Sequence, residues 1–237
     1  MTYKVYIGWD KKNALAYDVC VSSIRRHTAS NVTIYPLQDW QLRYRKLYWR
    51  SYIVDQDGQM IDRGDNSRFS TEFAFTRFLV PALNNYRDEW VLFIDSDMMF
   101  RADIAELFSV VNDNYAMLCV QHENLPYEDK KMFGLKQTYY KRKNWSSLML
   151  MNTARCNTLT LYAVNNWTGE ALHAIKWLPD NLIGNIPVEW NYLVGQTDPS
   201  KVKYPKNVHF TLGTPDMPEC AEVPYAVEWF SYVAAIK

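Results

Sequence analysis

The sequence has no excess charge of either sign, no leader-like start, no paired cysteines, no glycine-rich phosphate loop and no apolar run of membrane-spanning length. Each absence excludes something. Lys plus Arg and Asp plus Glu both number 26 among 237 residues, so no net field draws the chain to nucleic acid or an anionic membrane surface. No stretch is long and apolar enough to cross a bilayer, and Met1 to Lys4 leads straight into an apolar segment without a signal-peptide pattern. Cys20, Cys119, Cys156 and Cys220 lie far apart with no C-x-x-C spacing. They read as small buried hydrophobes in a reducing compartment rather than a disulfide or zinc framework. A soluble, cytoplasmic chain is the expectation. With 48% hydrophobic and 15% aromatic residues it can bury a large core, and with no repeat, linker or composition break, residues 1–237 are expected to form one domain.

What is present centres on Trp90-Val91-Leu92-Phe93-Ile94-Asp95-Ser96-Asp97. Val91 to Ile94 is a short, wholly apolar run of strand formers, the pattern of a strand buried on both faces of a parallel sheet. It stops at two carboxylates separated by one small residue. In an extended segment residues i and i+2 point the same way, so Asp95 and Asp97 can converge on one point. In an open α/β sheet ligands sit at the carboxyl ends of strands. Two anionic groups there repel unless a cation lies between them, and a divalent ion carrying phosphates is the natural candidate. The plain alternative is a strand that ends in an Asp-rich turn.

The N-terminal Lys4 to Asp10 strand, a helix from Asn13 to Ile24 and a Val32–Leu37 strand stopped by Pro36 form a β-α-β opening. It lacks both the G-x-G-x-x-G and the G-x-x-x-x-G-K-[ST] loops, so backbone amides of such a loop are not what would neutralise a nucleotide's phosphates. Gln41 to Ser67, with Arg43, Arg45, Lys46 and Arg50, reads as a polar, irregular, solvated segment. Ser70 or Thr71 is expected to cap an aromatic helix through Phe73, Phe75, Phe78 and Leu79 that ends at Pro81. Arg77 lies among those rings; its head either snorkels to water or pairs with a carboxylate, the nearest in sequence being Asp95 and Asp97. Tyr115–Val120 and Trp145–Asn152 read as strands, and Leu159–His173 as helical. Gln121–Asn144 reads as an exposed excursion whose Lys136, Lys141, Arg142 and Lys143 either face an anionic substrate or, the preferred reading, are solvated. His209 is either a packed core histidine or a ligand; it stands at an element end before a Gly/Pro turn, and an imidazole with two carboxylates suits Mn²⁺.

These blocks, taken in order, resemble a family 8 glycosyltransferase of the GT-A group. Ile7-Gly8-Trp9-Asp10 is similar to the family's base-binding segment. Phe73 to Pro81 followed by Val91 to Asp97 is similar to its Y-x-R-L-x-x-P helix and D-x-D strand. Ser146 to Asn152 resembles its N-S-G-V-L-L-I-N strand, and His209 to Pro215 its H-x-x-G-x-x-P-W element. The resemblance implies an α/β, Rossmann-like GT-A domain with a mixed, mostly parallel central sheet flanked by helices. It implies a metal-dependent, retaining transfer of a sugar from a nucleotide-sugar donor, UDP-linked, to a carbohydrate or other glycan acceptor. Asp95, Asp97 and His209 would hold Mn²⁺ or Mg²⁺, and Arg77 would orient the carboxylates or touch the donor sugar. Gly8, Trp9 and Asp10 would contact base and ribose, while Ser96, Ser146, Ser147 and Gly213 would complete the donor site. The chain departs from the family pattern where Trp145 stands for the usual Asn, and where Thr214-Pro215-Asp216 stands for Gly-Lys-Pro-Trp. The family's Asp-Gln-Asp segment has no clear counterpart; Asp180, Glu189 and Asn191 are the nearest polar candidates for catalysis. A nucleotidyltransferase also uses paired Asp residues, but the missing N-terminal glycine-rich loop and the His209 element argue against it. A relative that binds nucleotide sugars without turnover is the rival of another class.

Overall fold

The computed structural model describes residues 2–123 and 141–236. In chain order the elements are β1 (Thr2–Gly8), α1 (Ala14–His27), β2 (Asn31–Leu37), α2 (Asp39–Tyr44), β3 (Tyr52–Val54), β4 (Met60–Asp62) and β5 (Arg68–Phe69). Then come α3 (Val80–Leu83), β6 (Trp90–Ile94), β7 (Met98–Phe100), α4 (Ile104–Phe108), β8 (Met117–Cys119) and β9 (Leu148–Asn152). The last part holds α5 (Leu161–Asn166), α6 (Gly169–His173), β10 (Ile183–Asn185), β11 (Tyr192–Leu193), β12 (Asn207–His209) and α7 (Ala226–Ile236).

The central sheet has six strands in the order β10-β8-β9-β6-β1-β2. The β1–β2, β1–β6 and β8–β10 pairings are parallel, and β9 runs antiparallel to both neighbours, so five strands share one direction. This is the mixed, mostly parallel α/β sheet that the resemblance implies. Alternating side chains feed two cores. Tyr6, Val91, Phe93, Met149 and Met151 pack into one with Phe73, Phe75 and Phe78. Val5, Ile7, Leu92, Ile94, Leu148 and Leu150 pack into the other with Cys20 and Ile24 of α1. A strand covered on both faces reads as an unbroken apolar run, which is why β6 and β9 carry almost no polar residue.

The reversal of β9 matters for the site. A strand running against the others begins at the edge where they end, so Ser146 and Ser147, just before β9, arrive beside Asp95, just after β6. Asp95 N donates to Ser147 O at 2.9 Å. A second, three-stranded sheet in the order β11-β12-β7 adjoins this edge. Its antiparallel β12–β7 pairing sets His209 opposite Met98, and Phe210 N donates to Asp97 O at 2.9 Å. Two sheets thus meet at Asp95–Asp97, which forms the turn between β6 and β7 rather than an extended run.

Several expected elements take a different form. Phe73 to Pro81 is not one helix ended by proline: Thr76–Leu79 is a 3₁₀ turn, and Pro81 stands in the first turn of α3. There its missing N–H costs nothing and its fixed φ suits the helix. Leu159–His173 divides into α5 and α6 because Thr160 and Thr168 each cap a separate start, accepting from Ala163 N and Ala171 N. Trp145–Ser147 is a 3₁₀ turn before β9. Gln41–Ser67 is not irregular, since its short strands β3 and β4 pair with each other and β4 pairs with β5. Three-residue strands leave almost no periodicity to read. Arg50 within it is buried and paired with Asp62, and Arg43 pairs with Asp39; neither is a solvated cation. All four cysteines are free and buried. No helix among the described residues is long and apolar enough to cross a membrane. Lys136 lies outside the described residues.

Candidate active site

A pocket of about 90 Å³ opens where the two sheets meet. Asp95, Asp97 and His209 line it with Arg77, Ser146 and His173, and the segment from Ser67 to Ala74 supplies much of another wall. Ligand atoms of Asp95, Asp97 and His209 all lie within 4.8 Å of one another.

Each member of this group is held by a specific partner. Arg77 is buried, its guanidinium 5.4 Å from the Phe73 ring centroid and 5.1 Å from that of Phe93. Its Nη1 lies 2.9 Å from Asp95 Oδ1 and donates to Ser146 O at 2.9 Å, while Nε donates to Phe73 O at 3.3 Å. The cation is therefore paired rather than snorkelling. It covers one carboxylate and leaves the other to its neighbours. On the far side, His209 Nδ1 lies 2.9 Å from Asn191 Oδ1. A carboxamide oxygen only accepts, so Nδ1 carries the proton, and in the neutral ring Nε2 presents its lone pair. That nitrogen faces Asp97 Oδ1 at 3.3 Å. Asp97 Oδ1 is buried and has no hydrogen-bond partner among the described residues.

The donor set fits a divalent ion. Two carboxylates and an imidazole lone pair converge, and the unbonded Oδ1 of Asp97 faces another acceptor, an arrangement that a cation relieves. The imidazole is fixed from behind, as ligating histidines are. Asn191 Nδ2 donates to Ser147 Oγ at 2.9 Å, and Ser147 Oγ donates to Asn144 O at 2.7 Å. The chain Asn144–Ser147–Asn191–His209 is thus continuous, and it begins at a residue with φ of 63°. Both sides of the Ser147 hydroxyl are used in holding Asn191.

The other candidate positions divide. Ser146 lines the pocket, with Oγ 3.0 Å from His173 Nδ1. Ser96, between the two carboxylates, is fully buried, and its Oγ finds no hydrogen bond among the described residues. Gly8 closes β1 under the Phe73 ring, where an added Cβ would meet a ring carbon at 2.3 Å. Trp9 is half-buried, and its N–H donates to Leu37 O. Asp10 is buried and takes two backbone amides, Lys12 N at 2.8 Å and Glu72 N at 3.0 Å. It caps the turn into α1 and ties the Ser70–Phe73 wall to β1. Burial, followed by Asp10, raises the Glu72 carboxyl above its ordinary value. Gly213 has φ of 153° and packs on Cys220, outside the pocket lining. Next to it Thr214 Oγ1 reaches Asn13 Oδ1 at 3.4 Å, joining the late loop to the start of α1.

Asp180 and Glu189 do not join the pocket. Asp180 is exposed and pairs with Arg142 at 2.6 Å. Glu189 is half-buried, and its carbonyl accepts from Lys206 N. Of the three polar candidates only Asn191 reaches the site, from behind His209. The pocket also contains residues that no motif marked. His173 at the end of α6 is nine-tenths buried, its ring 5.2 Å from Phe78 in a T-shaped contact. Only the packing of α6 brings it there, which no local pattern in the sequence marks. Cys20 lies near the carboxylates, but burial, reinforced by Asp97 and Asp95, raises its thiol so that it stays protonated.

Solved glycosyltransferase structures share the fold of this chain. The galactosyltransferase LgtC, solved with donor and acceptor sugar analogs, aligns over 98% of this chain and 95% of its own with a TM-score of 0.60 and 10% identity. The bifunctional glycosyltransferase WbbM aligns over 98% of this chain with a TM-score of 0.61 and 15% identity. The chain spans about half of WbbM, covering 51% of it, and 60% of GlyE from Streptococcus pneumoniae, which aligns at a TM-score of 0.55 and 16% identity. No family model matches the sequence. The chain is 39% identical to protein CDI of Arabidopsis thaliana over 236 residues, 97% of this chain and 85% of that protein. It belongs to the same family as protein CDI.

Proposed function

We propose that this chain, acting as one domain over residues 1–237, is a metal-dependent, retaining glycosyltransferase of family 8 type. It would move a sugar from a UDP-linked donor to a glycan acceptor. The observation that carries the reading is the convergence of Asp95, Asp97 and His209 at the floor of a pocket in a GT-A fold. A divalent ion bound there supplies Lewis-acid stabilisation of the charge that develops on a departing diphosphate.

The chain's own residues do the rest. Arg77 fixes the Asp95 carboxylate and, through the Ser146 carbonyl, the wall of the donor pocket. Asn191 and Ser147 hold the His209 ring with Nε2 towards the pocket. Ser146 and His173 present a hydroxyl and an imidazole where a sugar would sit. The carboxylates of the lining among the described residues are Asp95 and Asp97, engaged in the donor set, and Glu170, which is exposed and pairs with Lys176 at 2.7 Å. The retaining route proposed needs no covalent glycosyl intermediate. The acceptor would then attack from the side the diphosphate leaves. One observation favours the alternative of binding without turnover: Asp180 and Glu189 stay out of the pocket, and Asn191 is already engaged.

The test is thermal unfolding with Mn²⁺ and a panel of nucleotides and nucleotide sugars, followed by donor hydrolysis without acceptor. A ligand that binds only the native state raises the midpoint by mass action. The expected result is a rise with UDP or one UDP-sugar that chelation abolishes, together with slow hydrolysis of that donor. A rise without hydrolysis would favour binding alone, and no rise with any nucleotide would sink the reading.

The network behind His209 carries its own prediction. Asn191→Ala should weaken Mn²⁺ binding roughly ten- to hundredfold, the usual cost of losing an outer partner of a metal-bound histidine. Calorimetric titration with Mn²⁺ measures it. An unchanged affinity would mean that His209 does not ligate.

A further inference from the structure

A second groove, of about 370 Å³, shares no lining residue with the pocket around Asp95 and Asp97. It lies at the β2 edge of the central sheet, between α2 and the turn that follows α3. Its lining contains three cations, Lys4, Arg45 and Arg87, and no carboxylate, in a chain whose charges otherwise balance. Lys4 is engaged by Glu89 at 2.7 Å. Arg45 and Arg87 are exposed, and among the described residues neither makes an ion pair. Two uncommitted guanidiniums on one concave surface form an anion-binding arrangement, because each fork matches a carboxylate or phosphate.

The rest of the lining narrows the ligand. Gln38, Gln41, Asn84 and Asn85 contribute carboxamides, groups that both donate and accept. The buried Asn84 is committed to Val80 O and Lys4, and Gln41 donates to Gln38, which leaves Asn85 and the remaining amide atoms of the two glutamines for a ligand. Hydroxyl groups also both donate and accept, so a cluster of amides suits a polyhydroxylated molecule better than a flat base with fixed donors and acceptors. Tyr6 and Tyr35 stack at 4.9 Å and 19°. Tyr6 is buried, which leaves the 37%-exposed Tyr35 ring as the accessible aromatic face at the groove, beside the aliphatic Pro36, Leu37, Leu42 and Leu83. One ring beside several amides matches one sugar ring, which offers an apolar C–H face and a rim of hydroxyls. Asn85 and Tyr86 both adopt left-handed φ, 53° and 51°, at the turn that brings Asn85 and Arg87 to the rim. Such backbone is costly for residues other than glycine and persists where the surroundings hold it.

We propose that this groove binds an anionic saccharide, a sugar carrying a phosphate or carboxylate group, at a site separate from Asp95, Asp97 and His209. The guanidiniums of Arg45 and Arg87 take the anionic oxygens, and the carboxamides and Tyr35 take the sugar.

The experiment is calorimetric titration of the full chain with glucose 1-phosphate and with glucuronic acid, the two sources of the charge. Glucose and inorganic phosphate are the controls. The expected result is binding of one or both acidic sugars well above either control. Arg45→Gln with Arg87→Gln should weaken it roughly ten- to hundredfold, the worth of charge-assisted hydrogen bonds. Both arginines are on the surface, so the double variant should keep its thermal midpoint and its response to Mn²⁺ and UDP. Tyr35→Ala should weaken the sugar acids and leave any phosphate binding alone. The proposal is overturned if neither acid binds, if the double variant binds them unchanged, or if Asp97→Asn removes the binding instead. Phosphate binding as tight as glucose 1-phosphate would overturn the saccharide assignment.

Discussion

Replacing Asp97 by Asn is expected to abolish the Mn²⁺-dependent stabilisation by nucleotide and to cut donor turnover roughly 10²- to 10³-fold. Charge counting gives the direction. Asp95 and Asp97 contribute two negative charges and Arg77 one positive, with Nη1 2.9 Å from Asp95. The group is left with one net negative charge, and the substitution removes it while keeping the side chain's shape. Among the described residues Asp97 is also the carboxylate without a Lys or Arg partner, and its near neighbour is the Nε2 face of His209. The same change should leave the metal-free midpoint level or slightly raised. In the absence of metal, Asp97 Oδ1 is a buried carboxylate oxygen with no hydrogen bond among the described residues, and burying such a group is unfavourable. A site that is less stable than it needs to be, until loaded, is a common trade between stability and function. Thermal unfolding with and without Mn²⁺ and UDP, and the rate of donor hydrolysis, read both effects. An Asp97→Asn chain that still binds UDP with the same Mn²⁺ requirement would show that the metal site lies elsewhere.

How much of this was legible depended on how local each signal was. β6 could be read because burial on both faces erases alternation, and Val91 to Ile94 with Asp95 and Asp97 behind it fits no other element well. Its partner β9 was equally apolar, but an apolar run carries no direction. The antiparallel placement that brings Ser146 and Ser147 to Asp95 depends on pairing, not on composition. Pro81 misled because a proline stops one helix as readily as it starts another, and only the 3₁₀ turn before it decides between them. Asn191 could be named as a polar residue of the right region. Its partners could not, since Ser147 and His209 stand 44 and 18 residues away and meet only when two sheets abut. Arg50 was the plainest miss. In a segment dense with arginines, nothing local separates the one that is buried from those that are solvated, because its partner Asp62 sits among equally polar neighbours.

That arginine supports the largest expected change in stability. Arg50 and Asp62 are nearly inaccessible, with Nε 2.6 Å from Oδ2 and Nη2 3.2 Å from Oδ1. Nη1 also donates to Val164 O at 3.1 Å and Trp167 O at 2.6 Å, and the guanidinium stands 4.0 Å from the Phe75 centroid. One side chain therefore joins the β3–β4–β5 sheet to the end of α5 and to the aromatic core. Among the described residues Arg50→Ala leaves the buried Asp62 charge with the amides of Gly64 and Asp65, and it strips two carbonyls of a donor. Breaking a buried pair from one side costs about 3–5 kcal/mol, which for a chain of this size lowers the thermal midpoint by roughly 6–20 °C. Arg50→Lys should recover little, because a single ammonium cannot span a bidentate carboxylate and two carbonyls at once. Adding Asp62→Asn to Arg50→Ala should recover part of the loss by removing the stranded charge, which a purely steric role for Arg50 would not predict. The consequence reaches the pocket, because β5 and the residues around it, Ser67 to Thr71, form one of its walls. Nucleotide affinity should fall with the midpoint, even though Arg50 touches neither Asp95 nor Asp97. A midpoint that moves by less than about 2 °C would mean that water replaces the guanidinium at little cost, and that the small sheet is anchored by its apolar contacts instead.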